Sequence, residues 1–577
     1  MFSVVQNLVW SSLLNRFRFL IAWIGALSGI GLIALRAGKP APPPAAPADL
    51  PVLLEADATK TIGPIHPEIY GLAQPTPEHF AQLNLKLWRW GGNPASRYNW
   101  ERGNAWNAAR DWQFRNGNYN NTAPADKMPS GSVDKAVAAA KAANCDTLLT
   151  IPTLGWVARN DDNSAQSVGV PAQGGAPRVP GSQAIAGYDP TANRSRVSLK
   201  SWPRKGRPFA DPPDLNDGVV YQDEWINHLV HKFGKANSGG VRYYAMDNEP
   251  DLWDNTQTDM HPVRPDYDEL LTQFTEYADA IKDVDPTAQI TGPVSWGWTG
   301  YFFSPRDRAE DNFAAHADRK NHDDAPFIDW FLRQVAAHDK KAGRRSLDVL
   351  DVHFYPQANG VYGGATDAAT NELRLRSVKA LYDPNYRDES WIGAPVQLIP
   401  RLRQWVDKNY PGTKIGLTEW NWGADNTLNG GLTVAEVLGI FGREKLDMAC
   451  YWTAPGVGTP GFYAYKIYRN ADGANHGFGD VAISASSSAP DRVSCYGSVE
   501  SKTGLPVVLI INKTNREIAN APLRLVSRKA VLKWRAYRYS GANLKGIVPS
   551  PDISVREGRT VITLPPDSIT LLRGVTE

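Results

Sequence analysis

Two glutamates stand at the ends of strand-like runs. Glu249 follows the strand-like first half of "VRYYAMDNEPDLW" (Val241–Trp253), and Glu419 closes the apolar alternation of "KIGLTEWNWG" (Lys414–Gly423). Hydrolysis of a glycosidic bond needs two carboxyls, one to protonate the leaving oxygen and one to attack or to activate water. Pro250 disfavours helix at the residue before it and predicts an extended Glu249. One such glutamate alone is more often a solvated or salt-bridged carboxylate. Two at corresponding strand ends, the second beside Trp420 and Trp422, point to catalysis.

Such a pair needs a frame that brings distant strand ends together. Candidate strands are Pro67–Gly71, Leu85–Trp90, Thr147–Pro152, Arg242–Met246, Gln289–Pro293, Asp348–Phe354, Lys414–Thr418 and Asp447–Trp452. Helix-period segments lie between several of them: Val133–Ala143, Tyr221–Phe233, Tyr267–Val284, Phe327–His338 and Val396–Lys408. Eight strands alternating with helices predict an α/β chain folded as a (β/α)8 TIM barrel, with Glu249 on strand four and Glu419 on strand seven. No Gly-rich phosphate fingerprint follows any strand, which argues against a dinucleotide fold. Two long connections, Gly155–Gly218 and Gln357–Ala394, follow strands and so belong to the C-terminal face where barrel sites are built. Trp156, Tyr188, Trp202, Tyr362 and Trp391 mark them as walls of a cleft. From about Pro455 the rhythm changes to short strands divided by turns, among them "FYAYKIYRN", and predicts a C-terminal all-β sandwich domain. The lone strand Val52–Glu55 can join that sandwich.

The chain has 577 residues, enough for a large barrel and a smaller module. A formal charge of +2 gives no footprint for nucleic acid. Its three cysteines, Cys145, Cys450 and Cys495, fall in no metal-ligand spacing and imply no disulfide framework. At the N-terminus Arg16 and Arg18 precede the apolar run Phe19–Leu35, the pattern of a signal peptide or a membrane anchor. Export follows, to the cell envelope or the medium, with the positive flank left in the cytoplasm. "KPAPPPAAPADLP" (Lys39–Pro51) reads as an extended spacer. The expected division is residues 1–38 signal or anchor, 39–51 linker, 52–66 a strand joining the sandwich, 67–455 barrel and 456–577 sandwich.

Five stretches in order resemble glycoside hydrolase family 44, of the retaining 4/7 superfamily. They are "RWGGNPASRYNWE" (Arg89–Glu101), "YAMDNEPDLW" (Tyr244–Trp253), "DVHFYP" (Asp351–Pro356), "LYDPNYRDESWI" (Leu381–Ile392) and "LTEWNWG" (Leu417–Gly423). The resemblance implies an endo-β-1,4-glucanase or xyloglucanase, with Glu249 as acid/base and Glu419 as nucleophile. It further implies that Asn248 bonds the sugar 2-OH, and that Arg89 holds Glu419 ionised. Tyr355 would reach Glu419, and His353 would stand beside it. Trp452 would floor the subsite of the cleaved sugar, with Trp422 serving there or packing the core.

No organic cofactor is required for double displacement. Asp259, His261, Asp323 and Asp324 could bind structural calcium or zinc, but their spacing matches no metal loop and no metal is assigned. The expected partner is a β-glucan polysaccharide, met by a monomer with a membrane tether through 19–35. Two other readings stand beside this one. A mannanase, xylanase or arabinofuranosidase of the same superfamily would share the pair of glutamates. A non-catalytic glycan-binding envelope protein would share the anchor and the sandwich but has no use for two crowded carboxyls.

Overall fold

The structure is a computed structural model that describes residues 51–118, 128–167, 196–308 and 313–576. The run Phe19–Leu35, nearly all of the Pro-rich spacer and Tyr188 lie outside the described residues. Among the described residues no helix is long and apolar enough to cross a membrane.

Eight parallel strands close into a barrel: Gly71–Ala73, Leu87–Trp90, Asp146–Ile151, Tyr243–Met246, Gln289–Ser295, Val349–Phe354, Lys414–Trp420 and Met448–Tyr451. The eighth pairs with the first through Cys450↔Gly71, which seals the ring. Inward side chains Leu87, Leu148, Tyr243, Ala245, Val294, Met448 and Cys450 fill the lumen as one buried cluster, so the barrel is a packed core and not a pore. Glu249 follows the fourth strand and Glu419 ends the seventh.

The outer helices follow from their apolar spacing. Tyr267–Val284 buries Leu270, Phe274, Tyr277, Ala278 and Ile281, a single face at i, i+3 and i+4 steps. Asp266 caps it by accepting from the Glu269 amide. Leu428–Arg443 differs in being buried almost all round. It lies between the barrel and the β domain, and at Gly439 a Cβ would stand 2.6 Å from the Tyr496 ring. Only glycine admits that approach.

Two elements differ from expectation. Pro67–Tyr70 is a 3-10 turn and the first strand begins at Gly71, since proline at the first turn position presets a helical φ. "FYAYKIYRN" is not a strand. Pro460–Arg469 is a helix, capped by Thr459 and burying Phe462, Ala464, Tyr465, Ile467 and Tyr468. Its aromatics favour strands locally, but their spacing covers one helical face packed on Leu428–Arg443.

The C-terminal domain is one continuous nine-stranded sheet that encloses its own apolar core. Pro506–Asn512 is buried on both faces: Val508 and Ile510 point into that core, while Val507, Leu509 and Ile511 join the barrel's cluster. The strand before the barrel, Leu54–Pro64, sits inside this sheet. It is antiparallel to Val481–Ser487 and parallel to Ile518–Val526.

Candidate active site

The fourth barrel strand stops at Met246, and the chain then turns sharply through two left-handed residues, Asp247 at φ 68° and Glu249 at φ 49°. Glu249 is therefore not extended. Pro250 excludes only the right-handed helical region, and a fixed scaffold on either side selects the left-handed alternative, which costs about 1–3 kcal/mol. Asp247 is that scaffold. Its buried carboxyl accepts from the amides of Thr153 at 2.7 Å and Asn248 at 2.8 Å, and from Ser96 and the Trp253 indole. The turn carries the Glu249 side chain to the barrel mouth beside Glu419.

Glu419 is enclosed on both oxygens. Arg89 Nη1 donates to Oε1 at 2.6 Å, and the Tyr355 hydroxyl donates to Oε2 at 2.8 Å. The other arm of Arg89 donates to Asn248 Oδ1 at 2.6 Å, and Asn248 in turn donates to Asn93. Arg89 is wholly buried, so charge-assisted bonds of this kind run in a low-dielectric pocket. His353, also wholly buried, places Nδ1 2.9 Å from Glu249 Oε1 and 3.5 Å from Glu419 Oε2. One oxygen of each glutamate and a His353 nitrogen lie within 4.8 Å of one another.

This crowding moves protons. Burial pushes the Glu249 carboxyl well above the carboxylate range, and Glu419, Asp251 and Asp111 add repulsion against the opposing pull of Arg89. Burial drives His353 well below the histidine range, and the nearby Arg89 charge adds to that. The arrangement offers a carboxyl biased toward its protonated form, facing an imidazole biased toward its neutral form, next to a carboxyl that accepts from two fixed donors.

Trp452 follows the eighth strand with its ring 5.6 Å from the Arg89 guanidinium, and the peptide after it is cis. Trp422 is different. It is completely buried, donates to Ser377 at 3.0 Å and packs on Phe354, so it supports the core and offers no face to a sugar. Of the loop aromatics, Tyr362 packs edge-on against Tyr355. Trp391 is 59% exposed and held by Gln357. Trp202 instead packs on Tyr221 within a small three-stranded sheet.

The four metal candidates turn to other partners. Arg97 takes both oxygens of Asp259, Glu269 takes His261, Arg333 takes Asp323, and Arg319 takes Asp324. Among the described residues the one cluster with three potential ligand residues in reach is Glu249, His353 and Glu419. Both Glu419 oxygens there are already engaged, one of them by a fixed cation, which suits proton chemistry better than a metal. The sequence reading passed over Asn93, which steadies Asn248 and donates to Asp111. Its position two residues after Gly91 in the first family-like stretch was the available signal.

Residues 105–358 match the family description "Glycoside hydrolase family 44". Endoglucanase A of Paenibacillus lautus is 32% identical over 525 residues, covering 87% of this chain and 69% of that one. The chain belongs to glycoside hydrolase family 44. Two solved structures align over nearly their whole length with this family 44 hydrolase. CelM2, a bifunctional glucanase-xylanase from a metagenome library, is 37% identical with a TM-score of 0.80, covering 91% of this chain and 99% of that one. The Paenibacillus polymyxa xyloglucanase solved with xyloglucan is 29% identical with a TM-score of 0.79, covering 91% and 100%.

Proposed function

We propose that this family 44 hydrolase is a retaining endo-β-1,4-glucanase that cleaves cellulose-like or xyloglucan chains by double displacement. The observation that carries this reading is the approach of the Glu249 and Glu419 carboxyls, within 4.8 Å between one oxygen of each. Retaining enzymes hold their carboxyls about 5–5.5 Å apart, whereas inverting ones need about 6.5–9.5 Å to seat a water between them. The glucan preference rests on relatives described as an endoglucanase, a glucanase-xylanase and a xyloglucanase.

In the first step Glu419 attacks the anomeric carbon, the bond to the leaving oxygen breaks, and the Glu249 proton passes to that oxygen. Arg89 and Tyr355 aim the Glu419 carboxylate, and Asn248, fixed by Arg89, meets the sugar 2-OH. In the second step Glu249, now ionised, takes a proton from water. The water oxygen bonds to the anomeric carbon and the ester to Glu419 breaks. Neither step requires an organic cofactor. Trp452 provides the apolar floor beneath the sugar. Export by Phe19–Leu35 and a monomeric state belong to the same reading, because the polymer lies outside the cell; fractionation and solution mass test both.

The test is reducing-end release from carboxymethylcellulose, xyloglucan, mannan and xylan. Glu419→Gln should abolish turnover with fold and binding retained. Glu249→Gln should lose on the order of 10²–10⁴-fold on poor leaving groups and far less at the first step on activated aryl glycosides. Near-native rates from Glu419→Gln, or product release from mannan alone, would sink the assignment. Binding without any new reducing ends would instead mark a glycan-binding protein.

A further inference from the structure

Beneath the two glutamates lies a second layer of polar side chains. Asp351 is completely buried between three strands. Its Oδ2 accepts from the Thr291 hydroxyl at 2.7 Å and its Oδ1 from the Thr418 hydroxyl at 2.6 Å. An ionised carboxylate accepts and cannot donate, and a threonine hydroxyl has one proton. Thr418 therefore points that proton at Asp351 and presents only lone pairs elsewhere. Those lone pairs face His353 Nε2 at 3.3 Å.

We propose that Asp351 and Thr418 are positioning residues that lock His353 in its Nε2–H tautomer, so that the bare Nδ1 accepts the proton carried by Glu249. The inference rests on the reading of Glu249 as the acid. The opposite tautomer would set the Nε2 lone pair against that of Thr418, and its Nδ1–H would stabilise an ionised Glu249. The locked tautomer does the reverse: it accepts from the protonated acid before the first step. After that step it leaves an ionised Glu249 with no donor from His353, hence a stronger base toward water. Tyr301 donates to the His353 carbonyl and fixes the backbone that carries the ring.

The charged groups around the pair are few. Glu249 faces Glu419, Asp251, Asp111 and Arg89; His353 faces both glutamates and Arg89; Asp351 faces Arg89. Burial raises the Asp351 carboxyl to about 6, with both threonines pulling it back down, so the lock tightens as pH rises through that value.

Thr418→Val keeps the shape and removes the hydroxyl, while Thr418→Ser restores it. In the full chain the basic limb of kcat/KM on a poor leaving group should move about one pH unit lower in Thr418→Val. That is about a tenfold loss one unit above the native midpoint, recovered in Thr418→Ser. An activated aryl glycoside should show a much smaller change in kcat/KM. A loss that is uniform across pH and leaving group, and that Ser does not restore, overturns the proposal.

Should Thr418→Val not fold, nitrogen-15 spectra of histidine-labelled wild-type protein decide instead. A neutral Nε2–H signal for His353 supports the lock, and an Nδ1–H signal overturns it. Glu249→Gln is run beside these: equal losses on poor and activated leaving groups would refute the acid assignment itself, while the tautomer is still read directly.

Discussion

Arg89 divides one guanidinium between two partners, Glu419 on one nitrogen and Asn248 on the other. The planar fork is what makes this geometry available, and lysine keeps the charge without the fork. Arg89→Lys should therefore fold, hold Glu419 loosely and release Asn248, with kcat/KM falling on the order of 10²-fold. Circular dichroism with steady-state kinetics checks it; an unchanged rate would show that Asn248 needs no anchor. The site was legible in the sequence as far as strand-end logic reaches. Arg89 was reached through the family resemblance, whereas Glu249 and Glu419 each announce themselves by standing at the end of an apolar alternation. Thr418 does not, because its part depends on which residues of neighbouring strands fall side by side. Here His353 lies against Glu419 after a register shift, and Asp351 lies against Gly416. That offset is a property of the closed barrel. Trp422 stayed open between floor and core for a related reason, since an aromatic beside a strand-end glutamate reads alike whether it faces the mouth or the core.

Among the elements, the barrel strands after the first and the amphipathic outer helices were legible, whereas the almost wholly buried helix Leu428–Arg443 was not. Tyr267–Val284 has the bounds its periodicity predicts, and Leu398–Asn409 differs from expectation by two residues or fewer at each end. Pro460–Arg469 was misread because its register as a helix is visible only once barrel strands lie under Tyr465 and the helix Leu428–Arg443 lies under Tyr468. The short connection after the second strand deserves a test at this scale. Gly92 has φ 101°, and a Cβ there would stand 2.5 Å from the edge of the Trp452 ring. Gly92→Ala should destabilise by about 1–3 kcal/mol and tilt Trp452, raising KM for the polysaccharide more than it lowers kcat. Urea unfolding and kinetics on a long and a short substrate check this. Equal KM values for variant and wild type would mean that Trp452 does not touch the sugar.

For the whole molecule the barrel was legible from alternation alone, whereas the path of the β domain was not. Its sheet order depends on non-local pairing that no single strand encodes. Buried ionisable groups give the whole molecule a pH response. Burial raises Glu101 to about 8 and Asp251 to about 7. Each binds its proton more tightly folded than unfolded, so each contributes stability that is full below the ordinary carboxyl range and lost as pH rises through the folded value. His228 and His261 are held above the histidine range, although burial opposes it, by Asp134 with Asp211 and by Glu269. Their contributions also fade with rising pH. His79 and His353 are lowered by burial and act oppositely, but only below about 6.5. Between pH 6.5 and 8.5 the melting temperature should therefore fall by a few degrees, measured by calorimetry at constant ionic strength. A rise over that window would show that these carboxyls are solvated in the native state.

The strand Leu54–Pro64 enters the β domain's sheet before the chain reaches the barrel, with one neighbour antiparallel and the other parallel. A pull applied at residue 51 thus loads two hydrogen-bond ladders in shear, and neither can peel open from a free edge. The packed face of Val507, Leu509 and Ile511 gives that force a path to the barrel beside the backbone that leads into its first strand. A catalyst dragged against a fixed polymer would strain its sheet before it distorted its mouth.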